Sequence, residues 1–190
     1  MEKKLDTIKL NSFNCRGLRN RQKRLNVFLW LKKYHSGITL LQETHATNDD
    51  EKEWVKDWEG QIVFSHGTST SRGVAILIPS NLQMSFNIIT TFRDLTGRIL
   101  LIECNIETNR YVIVNIYAPT KDMQKKQLDF LNDLKDALDN FSDKTLIIGG
   151  DFNTCLDPYV DKKGGKLENK SLYSDHILGL MEEMSLIDIW

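Results

Sequence analysis

The sequence predicts a layered fold of the α/β (α+β) class, in which helices cover the faces of β-sheets. Three observations carry that expectation. Short β-branched runs alternate with amphipathic segments along the whole chain, and no Gly/Ser linker, internal repeat or low-complexity stretch interrupts them. The 190 residues, 41% hydrophobic and 27% charged, have the makeup of one globular domain able to bury its own core. Residues 1–190 therefore read as a single domain.

In chain order, Ile8–Asn14 opens as a strand and Arg21–Tyr34 follows as a helix with an apolar stripe. Ile38–Gln42 is the second strand. Asp49–Trp58 reads as a helix, its start marked by Asn48 three residues before Glu51, the spacing of a capping box. Gln61–Ser65, Gly73–Ile78, Ser85–Thr90, Arg98–Ile106 and Tyr111–Tyr117 then succeed one another as strands. In the helix Met123–Asn140, Leu128, Leu131, Leu134 and Leu138 recur three to four apart, while Lys125, Asp129, Asn132, Lys135 and Asp136 make the wet side. Thr145–Gly149 is the last strand and Leu172–Met184 the last helix. Eight strands imply large or paired sheets.

Charge and cysteine content narrow the function classes. With 25 basic and 26 acidic residues the net charge is −1, so nucleic-acid binding would have to rest on local patches. One patch lies just after the first strand: Arg16, Arg19, Arg21, Lys23 and Arg24, which fit either a DNA backbone track or a solvated helix face. Arg72, on the approach to a strand, is a further candidate for DNA contact. Cys15, Cys104 and Cys155 have neither disulfide nor zinc spacing and read as reduced thiols. Val74–Ile78, an apolar stretch that no other in the chain exceeds in length, is far too short to span a bilayer, and the N-terminus carries no signal-peptide hydrophobic region. The expectation is an intracellular protein, nuclear or cytoplasmic, with no membrane partner.

Four apolar strands end in polar groups. Ile38–Leu41 runs into Gln42-Glu43-Thr44-His45, Tyr111–Val114 into Asn115-Ile116-Tyr117, Leu146–Gly150 into Asp151-Phe152-Asn153, and the first strand into Asn14. In layered folds the ends of buried strands converge on one rim, where residues distant in sequence surround one ligand. An extended backbone through Asp151-Phe152-Asn153 would aim both polar side chains to one side, and Gly149-Gly150 would admit a close neighbour. Glu43 and Asp151 are hard oxygen ligands suited to magnesium, and the whole inventory suits phosphoester hydrolysis. Taken singly, Asn14 and Asn153 also fit turn residues, Glu43 a surface charge, and Tyr117 a strand-end aromatic.

The strings Ser12-Phe13-Asn14-Cys15-Arg16-Gly17-Leu18, Leu40-Leu41-Gln42-Glu43-Thr44-His45, Arg72-Gly73-Val74-Ala75-Ile76-Leu77-Ile78, Asn115-Ile116-Tyr117-Ala118-Pro119 and Gly150-Asp151-Phe152-Asn153-Thr154 resemble the endonuclease/exonuclease/phosphatase superfamily. Within it, they look most like the endonuclease domain at the N-terminus of LINE-type (non-LTR) retrotransposon proteins, which is similar to apurinic-site endonucleases and exonuclease III. The resemblance implies a two-sheet, four-layer α/β sandwich of the DNase-like type. It implies a phosphodiesterase dependent on magnesium, with manganese as the substitute, that nicks DNA and leaves a 3′-hydroxyl to prime reverse transcription. DNA would be the partner, and the chain part of a larger polyprotein with a reverse transcriptase. By motif, Glu43 would be the principal metal ligand with Asn14 and Asp151 in the same shell. Tyr117 would stabilise the phosphorane, Asp151 activate the attacking water, and Asn153 orient water or phosphate.

Such family members continue past a segment like Asp188-Ile189-Trp190 to a metal-linked aspartate and a terminal Ser-Asp-His motif. By that pattern the chain lacks the C-terminal part of the domain, and as given its activity would be impaired. Ser174-Asp175-His176 does not supply the motif: Ile177, Leu180, Met181 and Met184 follow at helical spacing, so the triplet opens a helix with Ser174 as its cap. His35, His45 and His66 are no better replacements. Two other classes stay open here, a non-catalytic remnant module and a phosphatase acting on a small phosphoester.

Overall fold

The computed structural model describes residues 8–82, 85–157 and 171–189. Two four-stranded mixed sheets pack face to face. The first has the order β1 (Leu10–Asn14), β2 (Ile38–Gln42), β4 (Val74–Pro79), β3 (Gly60–Ser65), with β1 and β2 parallel and the other neighbours antiparallel. The second has the order β5 (Phe86–Arg93), β6 (Ile99–Ile106), β7 (Asn109–Tyr117), β8 (Thr145–Asp151), antiparallel except for the parallel pair β7 and β8. Helices α1 (Arg21–Tyr34) and α2 (Glu51–Asp57) cover the first sheet, and α3 (Gln124–Asp139) and α4 (Leu172–Glu183) the second. Among the described residues, no helix is long and apolar enough to cross a membrane.

The side-chain period of two sorts each strand between layers. Leu40, Ile76 and Ile78 meet Leu100, Ile102 and Ile113 between the sheets. Leu41, Ala75 and Leu77 turn outward onto Phe28, Leu31 and Trp54, while Leu101, Val112 and Val114 turn onto Phe130, Leu131, Leu134 and Leu138. Strands buried on both faces read as continuous apolar runs, which is why Ile38–Leu41 and Val74–Ile78 lack polar alternation.

One polar group crosses the inner layer. Asn115 on β7 donates from Nδ2 to the carbonyls of Leu41 on β2 (2.9 Å) and Ala75 on β4 (2.8 Å), and its Oδ1 accepts from Gln42 Nε2 (2.8 Å). All three amide contacts are buried, so the two sheets are pinned one residue before Glu43 and two before Tyr117.

Several boundaries differ from the sequence expectation for local reasons. β5 continues to Arg93 because a bulge between Ile88 and Thr90 interrupts the alternation without ending the pairing. β8 continues through Gly150 to Asp151; there φ is 136°, and a Cβ would lie 2.1 Å from the Ile116 carbonyl oxygen, so only glycine fits. The capping box belongs to Thr47 and Asp50, whose carboxylate accepts from the Thr47 N–H and hydroxyl at 2.8 Å each, because a single 3₁₀ turn precedes α2. The cap of α4 is Ser171, which accepts from the Ser174 N–H at 3.1 Å; Ser174 lies buried inside the first turn.

Candidate active site

The strand ends do converge. Asn14 ends β1 and Glu43 follows β2 on the first sheet, while Tyr117 ends β7 and Asp151 ends β8 on the second. Asn14 Nδ2 donates to Glu43 Oε1 and to Asp151 Oδ2, each at 2.9 Å, and the Tyr117 hydroxyl donates to the same Glu43 oxygen at 2.9 Å. Four residues from four strands thus form one hydrogen-bonded chain across the mouth of the sandwich.

Asn153 joins this group by a different route from the extended one. Its φ is 51°, so the strand has already turned; its N–H donates to Asp151 Oδ1 at 2.9 Å and its Nδ2 to the Ala118 carbonyl at 2.7 Å. The turn orients Asp151, and one amide N–H and Oδ1 of Asn153 remain for water or phosphate. Left-handed backbone gathers here: Arg16, Glu43, His45, Arg72 and Asn153 all have φ between 47° and 63°. Non-glycine residues tolerate this region only where surrounding bonds enforce it. Those bonds include His45 N to Arg72 O (2.9 Å), Thr44 N to Gly73 O (2.9 Å) and Gly17 N to Glu43 O.

Burial, then the hydrogen bond to Glu43 and its charge, push the Tyr117 phenol up to about 12. It is a neutral donor throughout the physiological range. The folded pKa lies above the ordinary 10.0, so the stability this protonated phenol contributes is fully present below pH 10 and is lost as pH rises toward 12. A Tyr117→Phe protein is expected to show a shallower loss of stability over that interval in alkaline denaturation curves; an identical slope would contradict the assignment.

Among the described residues no trio of His, Cys, Asp and Glu is arranged as a ready metal cage. The donor set nevertheless suits a hard cation: two carboxylates, Glu43 and Asp151, face one amide, and among the described residues His45 Nε2 stands 3.9 Å from Glu43 Oε2. Magnesium takes one or two carboxylates and fills the rest of its shell with water and substrate oxygen.

The basic segment after β1 is largely engaged within the fold. Arg24 is 1% exposed and pairs with Asp57 at 2.7 Å, so it is a core ion pair and not a phosphate ligand. Lys23 Nζ donates to the carbonyls of Cys15, Arg16 and Gly17 at 2.8–2.9 Å, bracing the loop beside Asn14. Arg21 shares Asp57 (3.0 Å), and Arg19 pairs with Asp50 (3.1 Å). Arg16 is exposed at the rim. Arg72 lines a groove of about 690 Å³ that also contains Glu43, His45, Tyr117 and Arg98. Sequence reasoning missed Arg98, because the start of a strand gives no sign that antiparallel pairing will set it against Tyr117. His176 is exposed on α4, with Nδ1 2.7 Å from the Leu172 carbonyl oxygen, as a helix residue.

Comparison with known proteins agrees with this architecture. The profile of the Endonuclease/Exonuclease/phosphatase family matches residues 11–179. The chain is 30% identical over 185 residues to the Transposon TX1 uncharacterized 149 kDa protein of Xenopus laevis, covering 96% of this chain and 14% of that protein. It is 27% identical over 157 residues to exodeoxyribonuclease III of Haemophilus influenzae, covering 77% and 57% respectively. Among solved structures, the AP endonuclease LMAP from Leishmania major superposes with a TM-score of 0.65 at 15% identity, covering 83% of this chain and 59% of that one. An AP endonuclease from Archaeoglobus fulgidus gives 0.61 at 21% identity, covering 80% and 60%.

Proposed function

The chain belongs to the endonuclease/exonuclease/phosphatase family, and from that premise we propose that it is a DNA endonuclease domain, a divalent-metal-dependent phosphodiesterase that leaves a 3′-hydroxyl at the nick. It would serve a retroelement polyprotein whose reverse transcriptase extends that hydroxyl; the similarity to a transposon protein of much greater length supports this reading. The observation that carries the catalytic proposal is the single chain of hydrogen bonds through Asp151, Asn14, Glu43 and Tyr117.

Each residue then has a task. Glu43, with Asn14 and Asp151 beside it, would hold a magnesium or manganese ion, whose charge would polarise the scissile phosphate. Asp151, held in position by the Asn153 N–H on its other oxygen, accepts the proton of the attacking water as the bond from phosphorus to O3′ breaks and that oxygen takes a proton from solvent to leave as the 3′-hydroxyl. The free amide groups of Asn153 orient that water or a phosphate oxygen. Tyr117, protonated at neutral pH, can swing its hydrogen bond from Glu43 to the oxygen on which negative charge develops.

The test is nicking of supercoiled plasmid by the polypeptide in which these residues occur, with magnesium and with EDTA. Nicked circles that a polymerase can extend, formed only with the metal, are expected. No nicking in magnesium, or equal nicking in EDTA, would overturn the proposal.

A further inference from the structure

Arg98 has no part in the reaction above, yet it stands against one of the catalytic groups. Its Nη1 donates to the Tyr117 carbonyl at 2.9 Å, its Cζ lies 5.2 Å from the Tyr117 ring centroid, and its backbone carbonyl accepts from the Tyr117 N–H at 2.8 Å. Half-buried, it forms no ion pair with a described carboxylate. Asp94, nearby on the same turn, is already engaged: its oxygens accept from the N–H groups of Thr96, Arg98 and Ile99 and from the hydroxyls of Ser65 and Thr96.

Arg72 lines the same groove and is likewise without a carboxylate partner among the described residues. Both side chains line that groove, and burial, then the charge of Arg72, push the Arg98 pKa down. The backbone holds them there. Gly73 N donates to Gly97 O at 3.0 Å, and Arg72 O accepts from His45 N at 2.9 Å, so the loops bearing Arg72, Arg98 and Glu43 are stitched together. The groove residues from α3, Lys126 with Asp129 and Asp133, have no such positive excess.

Two guanidiniums lining one groove, neither ion-paired with a described carboxylate, form a receptor for an anion, and arginine keeps its charge even when burial lowers its pKa. We propose that Arg98 and Arg72 bind a phosphate flanking the scissile one on the strand being cut, in the groove that leads away from Glu43 and Tyr117. This rests on the nuclease reading and adds to it the direction in which the substrate strand leaves the site.

The test measures binding without turnover. Fluorescent duplexes, each with one linkage replaced by a neutral methylphosphonate, are titrated in EDTA by anisotropy with the parent, Arg98→Gln, Arg72→Gln and double-variant polypeptides, and thermal melts confirm folding. Each single variant is expected to raise Kd about tenfold and to flatten the salt dependence by about one counterion. One flanking methylphosphonate should weaken the parent about tenfold and the double variant no further. Arg98→Lys should keep most of the salt slope. Variants that bind like the parent, or methylphosphonate effects that persist in the double variant, would overturn the subsite. A parent that binds but never nicks overturns the catalytic reading alone, and a parent that fails to bind DNA overturns both.

Discussion

Replacing Asp151 by Asn is expected to lower the rate of plasmid nicking about a thousandfold while leaving the melting temperature nearly unchanged. The substitution keeps shape and most of the bonding. The amide oxygen that replaces a carboxylate oxygen can still accept from the Asn153 N–H or from Asn14 Nδ2, each of which lies 2.9 Å from the Asp151 carboxylate. What disappears is the basic oxygen that takes a proton from water and half of the negative charge facing a cation. The check is a time course of nicked circles at saturating magnesium beside a thermal melt of the same protein. Nicking at the parent rate would remove Asp151 from the reaction.

The second large effect is on stability. Asn115→Leu keeps the branched shape of the side chain but deletes the amide that satisfies the Leu41 and Ala75 carbonyls and the Gln42 side chain between the sheets. Buried polar atoms left without partners cost about 1–3 kcal/mol each, and the carbonyls retain other possibilities, so a net loss of about 2–4 kcal/mol is expected in urea denaturation. Nicking should fall as well, since Gln42 immediately precedes Glu43. A variant as stable as the parent would mean that the cross-sheet amide is replaceable by packing.

How much of this was legible in the sequence depends on how local the signal is. Strand ends such as Leu41-Gln42-Glu43 and Ile116-Tyr117 announce a rim because burial and polarity change within a few residues, and Asn14, Glu43, Tyr117 and Asp151 do meet there. The charge run after β1 is engaged in a way that its own residues do not announce. Its partners, Asp50 and Asp57, come from α2 and the turn before it, far along the chain, and counting charges in sequence cannot find them. Arg98 was invisible because its importance comes from β6 lying antiparallel to β7, a pairing that no neighbouring residue encodes. Asn153 was recognised by its type but placed by the wrong geometry, since a left-handed turn and not an extended strand brings it back to Asp151.

Asn14 and Glu43 belong to one sheet, Tyr117 and Asp151 to the other, and the bonds joining them cross from slab to slab. Catalytic geometry in this protein is therefore an alignment between two sheets, each with its own ladder of hydrogen bonds and pinned to the other at Asn115. A sideways slip smaller than the roughly 3.3 Å residue step of a strand would part the carboxylates with every helix and strand still formed. Ile76, Leu100 and Ile113 touch no substrate, yet their interdigitation sets that alignment. A cavity opened among them would appear first as lost turnover and only later as lost structure, so the folded fraction and the competent fraction are separate quantities.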